Sequence, residues 1–145
     1  MIYKQFSATD NDIYKHLLYV DKYFSPYLSE RKNLKDFSKK ISNNAITFEA
    51  WENNNLVGLV SAYFNDFDNR IGYINHIATF QEYRRCKISS KLLNLCIKYG
   101  ITNNFHTLKL EVSINNKIAI DFYLKYGFKK YIYTKESMIM KRELI

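Results

Sequence analysis

Two segments in the second half of the chain each read as a β-strand running directly into an amphipathic helix, and this repeated junction limits the folds open to it. The first is Gly72-Tyr73-Ile74-Asn75-His76-Ile77-Ala78-Thr79, followed by Phe80-Gln81-Glu82-Tyr83-Arg84-Arg85-Cys86-Lys87-Ile88-Ser89-Ser90-Lys91-Leu92-Leu93. The second is Leu108-Lys109-Leu110-Glu111-Val112, followed by Asn116-Lys117-Ile118-Ala119-Ile120-Asp121-Phe122-Tyr123-Leu124-Lys125-Tyr126-Gly127-Phe128. A helix leaves its first amides unpaired, and its dipole favours an anion there. Arg84, Arg85 and Lys87 place three cations where the dipole disfavours them, so this turn asks for an anionic partner such as a pyrophosphate.

The remaining elements follow from periodicity and punctuation. Ile2–Phe6 alternates as a strand, and Thr9 or Asp10 caps a helix through about Tyr23 with Ile13, Leu17, Leu18 and Val20 inward. After Pro26 a second helix is predicted over Ser29–Ile41, ended by Ser42-Asn43-Asn44. Ile46–Trp51 and Leu56–Phe64 form a hairpin around Glu52–Asn55, and Asp66–Asn69 turns the chain into a strand over Arg70–Thr79. Helices over Lys87–Ile101 and Asn116–Tyr126 flank a strand at His106–Val112. In the second helix Ile118, Ala119, Phe122 and Tyr123 share a face, Gly127 is the left-handed cap and Phe128 the contact after it. Lys130–Tyr133 and Ser137–Lys141 close the sheet as a hairpin. The order βααβββαβαββ predicts an α+β fold of three αβα layers, with a mixed, mostly antiparallel sheet of six to seven strands and helices on both faces.

Composition narrows the function classes. At 145 residues and 47% apolar content, residues 1–145 are expected to form a single domain with a real core. The net charge of +8 suits a phosphorylated ligand, while the cations are scattered with no run of five, which argues against nucleic acid. No apolar run of 18 residues suggests a membrane span, and Met1–Phe6 lacks a signal-peptide apolar region, so a cytoplasmic protein is expected. Cys86 and Cys96 fall on one helix about 15 Å apart at 1.5 Å per residue, too far to bridge. His16, His76 and His106 are isolated in sequence, so no metal is expected.

The two junctions resemble the GNAT superfamily of acyl-CoA-dependent N-acyltransferases, whose element order matches nearly the whole chain. The resemblance implies acetyl-CoA as cosubstrate, its pyrophosphate wrapped by the turn Arg84, Arg85, Cys86, Lys87, Ile88, Ser89 and Ser90. The family pattern there is Arg or Gln, two residues, Gly, one residue, Gly or Ala. Here Lys87 replaces the first glycine and Ser89 the second small residue. The resemblance also implies that the amides of Ile77, Ala78 and Thr79 pair with the pantetheine arm, and that Asn116 and Ala119 adjoin it. Tyr123, two helical turns after Asn116, is then placed beside the thioester sulfur as general acid.

A general base must take a proton from the attacking amine. The resemblance points to Glu111; His76 is an alternative because an unperturbed imidazole titrates near 6.5, and water is a third. Tyr73 and Asn75 alternate with His76 and are placed with it on the acceptor, as are Tyr23, Phe24 and Tyr27 of the aromatic N-terminal region. The resemblance allows a peptide or a small-molecule amine, including a nucleotide-linked amino sugar, and a monomer or a homodimer. Against catalysis stands a second reading, a binding or regulatory domain that lost turnover with its glycines.

Overall fold

The computed structural model describes all 145 residues except the side chain of Arg85. The chain gathers into two compact units, Met1–Ala62 with His76–Cys96, and Tyr63–Asn75 with Ile97–Ile145. Its seven strands are β1 (Ile2–Gln5), β2 (Ile46–Glu52), β3 (Asn55–Asp66), β4 (Ile71–Thr79), β5 (Thr107–Ser113), β6 (Lys129–Tyr133) and β7 (Ser137–Glu143). They hydrogen-bond in the order β1-β2-β3-β4-β5-β7-β6. β4 runs parallel to β5 from Ile71↔Thr107 to Ile74↔Leu110, and β7 is antiparallel to both β5 and β6. The sheet is therefore mixed, as the element order predicts.

In the first unit, α1 (Asp10–Val20) begins at a capping box: the Asp12 amide donates to Thr9 Oγ1 at 3.1 Å, and the Thr9 amide to the Asp12 carboxylate at 2.9 Å. Ile13, His16, Leu17 and Val20 form its buried stripe, while Leu18, expected inside, lies one position off it and is 51% exposed. The helix predicted over Ser29–Ile41 is two, α2 (Leu28–Arg31) and α3 (Leu34–Asn44). Asn33 divides them: it is extended, and its side chain caps α3 by accepting from the Asp36 amide at 3.0 Å. Asn53 and Asn54 both take left-handed conformations at the β2–β3 turn, the demand of a tight hairpin that Asn meets at low cost.

Glu49 on β2 is fully buried, and five donors satisfy its carboxylate: the Ser7 amide and hydroxyl, the Ala8 amide, the Thr47 hydroxyl and the Trp51 indole. It fastens the entry to α1 onto the strand. Gly58 on β3 gives room to the start of α4 (Ile88–Thr102), since a Cβ there would stand 2.6 Å from Ile88 Cγ2.

In the second unit, α5 (Lys117–Lys125) starts at Asn116, which accepts from the Ala119 amide at 3.2 Å. Ile120 and Tyr123 are its buried residues; Ile118, expected on the apolar face, is 86% exposed. The helix ends as read from sequence. Gly127 has φ of 89°, its amide donates to Leu124 O at 3.1 Å, and the Phe128 amide donates to Tyr123 O at 3.0 Å.

Candidate active site

β4 ends where the Phe80 amide donates to Val57 O at 2.8 Å, and the chain then makes a 3₁₀ turn over Gln81–Cys86. Lys87 follows at φ 56°, ψ 31°, in the left-handed region that glycine enters freely. Its carbonyl accepts from the Lys91 amide at 3.1 Å as α4 begins. The amides of Ile88, Ser89 and Ser90 are thus those an α-helix leaves without an intrahelical acceptor. The Thr79 and Ser89 hydroxyls, 2.7 Å apart, tie the end of β4 to this first turn. Ile88 is fully buried, so its side chain serves the core and only its backbone faces the turn.

The cations of the turn differ in what they touch. Lys87 is exposed, as is the free thiol of Cys86. Arg84 is exposed but lies 4.7 Å over the ring of Tyr23, whose hydroxyl accepts from the Gln81 amide at 3.0 Å. The Arg85 side chain, placed on the cofactor from sequence, lies outside the described residues. Glu82 accepts from the Tyr19 hydroxyl, a bond that pushes this phenol up to about 12.

The same unit joins two histidines that look isolated in sequence. His16 Nδ1 is 2.9 Å from Leu56 O, and His16 Nε2 is 3.0 Å from His76 Nε2. Burial pushes His16 down to about 4, partly opposed by its bond to the Leu56 carbonyl. His76 is held well below its usual range by burial, then by His16 and Lys32. Sequence reading passed over His16, although its spacing with Ile13, Leu17 and Val20 marks it as part of the buried stripe. Phe24 and Phe37 flank His76 at 5.9 and 6.3 Å between ring centres. Phe24 also lines a surface recess of about 540 Å³ with Tyr23, Pro26 and Tyr27. Of the residues placed on the acceptor, then, Phe24 and His76 adjoin, Tyr27 lines the same recess, and Tyr23 braces the turn.

In the second unit Tyr123 is 6% exposed, and its hydroxyl has no hydrogen-bond partner among the described residues. Burial pushes the phenol far above its usual range, so it keeps its proton at neutral pH. Glu111 is exposed on β5 and accepts from the Ser137 hydroxyl. Tyr73 is raised by burial and by the charge of Glu111, and Tyr63 is raised by burial, partly opposed by Asn75. Asn116 spends its side-chain oxygen on capping α5 at Ala119.

A left-handed residue followed by unpaired amides and small hydroxyls fits a pyrophosphate, and residues 13–128 match the profile of the Acetyltransferase (GNAT) family. The chain belongs to this family. The GNAT turn of this chain departs from the family pattern in side chains, and Lys87, in the place of the first glycine, takes a left-handed backbone of the kind glycine enters freely. A GNAT relative by sequence is the N-alpha-acetyltransferase 50 of Danio rerio, 35% identical over 99 residues, which are 65% of this chain and 56% of that protein. The chain spans about half the length of the curated relatives it matches. In fold it is similar to the ribosomal-protein-S18-alanine N-acetyltransferase of Escherichia coli, with TM-score 0.77, 18% identity, and 99% and 94% of the two chains covered. It is also similar to the PaiA N-acetyltransferase of Thermoplasma acidophilum in complex with coenzyme A, with TM-score 0.78, 17% identity and 99% of each chain covered. No helix among the described residues is long and apolar enough to cross a membrane, and no cluster of metal-ligating side chains occurs among them.

Proposed function

We propose that the chain is an acetyl-CoA-dependent N-acetyltransferase that lets a primary amine attack the thioester directly. The observation that carries this reading is the curled start of α4, where Lys87 accepts a left-handed backbone and so presents the Ile88–Ser90 amides to an anion. Lys87 would add charge to the pyrophosphate, with Ser90 beside it, and the Ile77–Thr79 amides would hold the pantetheine arm as the family resemblance implies.

Glu111 takes the amine proton, directly or through water, and the Ser137 hydroxyl orients its carboxylate. The new N–C bond forms as the C–S bond breaks, and Tyr123 gives its proton to the departing thiolate. Water restores the Tyr123 proton and removes the one held by Glu111. His76 is a poor base, since burial strongly disfavours its protonated form.

The acceptor is a peptide amino terminus or a small-molecule amine, met by Phe24, Tyr27 and His76. The alpha-acetyltransferase name of the Danio rerio relative supports the peptide. An inert regulatory domain is the less favoured reading, because Lys87 takes a left-handed backbone at the start of α4 without needing a glycine, and Tyr123 keeps its proton. Isothermal titration with acetyl-CoA tests binding, and thiol release over a panel of peptides, polyamines and amino sugars tests turnover. Binding without thiol release from any acceptor would favour the inert domain.

A further inference from the structure

The Leu56 carbonyl can only accept, so His16 carries its proton on Nδ1. Neutral His16 then offers a lone pair at Nε2, and the 3.0 Å contact requires His76 to donate from its own Nε2. Neutral His76 is left with a lone pair on Nδ1. That atom makes no hydrogen bond among the described residues, although the residue is only 5% exposed. Nδ1 is not sealed from solvent, and its ring lies beside Phe24 and Phe37, so the lone pair is open to a donor. Phe24 in turn lines the recess with Tyr23 and Tyr27.

We propose that His16 is a positioning residue that fixes the tautomer of His76, and that His76 Nδ1 selects acceptor amines bearing a second N–H or O–H donor beside an apolar group. The inference deepens the acetyltransferase reading and rests on it. A peptide amino terminus with an apolar first residue meets the requirement: its side chain lies against the Phe rings and its first amide N–H donates to Nδ1. The same peptide methylated on that amide nitrogen keeps the amine and the side chain but has lost the donor.

The test uses the full chain labelled with ¹⁵N-histidine. Long-range proton–nitrogen spectra at neutral pH should show His16 protonated on Nδ1 and His76 on Nε2. Adding leucyl-alanyl-glycine amide should shift the His76 Nδ1 resonance, and adding the analogue N-methylated at alanine should not. With acetyl-CoA present, thiol release should favour the first peptide by about tenfold in kcat/KM, the scale of one hydrogen bond. His76→Gln keeps a donor to His16 but offers no acceptor at Nδ1, so it should fold and treat both peptides alike. His16→Phe should leave His76 a mixture of tautomers and raise KM more than it lowers kcat. A proton on His76 Nδ1, an unmoved His76 resonance, or equal use of the two peptides by the native chain would overturn the proposal. If acetyl-CoA is consumed in those cases, the acetyltransferase reading survives alone; if it neither binds nor reacts, that reading falls as well.

Discussion

The hydroxyls of Thr79 and Ser89 stand 2.7 Å apart and join the last residue of β4 to the first turn of α4. Thr79 is 5% exposed, so truncating Ser89 leaves a buried hydroxyl with one partner fewer. Ser89→Ala should cost about 1 kcal/mol in denaturant unfolding. In a double-mutant cycle with Thr79→Val the coupling should be of similar size. Additive losses would show that the two hydroxyls do not act as a pair.

Lys87 combines an unfavourable backbone with a useful charge, and substitution can separate them. A left-handed conformation costs an L-residue roughly 1 kcal/mol, partly offset in glycine by its greater unfolded-state freedom. Lys87→Gly should therefore match or slightly exceed the native chain in thermal stability, and Lys87→Val should be clearly less stable. Acetyl-CoA affinity should fall modestly in Lys87→Gly and strongly in Lys87→Glu, with a weaker salt dependence in both. Isothermal titration at two ionic strengths measures this, and unchanged affinity in Lys87→Glu would remove the side chain from the anion site.

Tyr123→Phe deletes one proton donor and keeps the ring that meets Phe128 at 5.9 Å between centres. If thiolate departure needs this proton, turnover should fall by about 10² to 10⁴ while melting temperature and acetyl-CoA affinity barely change. Glu111→Gln should instead lower turnover most near neutral pH and least at high pH, where the acceptor amine is already free. A Tyr123→Phe variant at the native rate, with chemistry limiting, would make Tyr123 a packing residue.

The two histidines predict a loss of stability in acid. The unfolded chain protonates His16 near 6.5, while the folded chain resists until about 4. Between those values the unfolded state binds more protons, so stability is complete above pH 6.5 and declines as pH falls toward 4. His16 alone would contribute about 3 kcal/mol to that decline. The charged groups bearing on the pair include Lys32, which adds to the cost of protonating His76. Chemical denaturation from pH 7.5 to 4 should show the slope, and His16→Phe, with a lower plateau, should flatten it.

Both strand–helix junctions were legible because periodicity and caps agree there. Gly127 and Phe128 do what a glycine followed by an apolar residue at a helix end should do. The break at Asn33 was hidden because the helical spacing of Leu34, Phe37 and Ile41 does not show where the helix starts, and only the capping side chain reveals the boundary. The turn of Lys87 could be located but not its conformation, since lysine does not advertise a left-handed backbone. The His16–His76 pair was out of reach for another reason. The residues lie 60 positions apart, and α1 and β4 must already be packed for the two rings to meet.

Tyr23 has one further consequence, for the order of events. Its ring supports Arg84 and its hydroxyl holds the Gln81 amide, while the next residue, Phe24, stands against His76. Whatever settles the phosphate turn therefore also settles the wall that the acceptor meets. An enzyme built this way should load its donor first and its acceptor second. In initial-rate kinetics a dead-end acceptor analogue should then be uncompetitive against the donor.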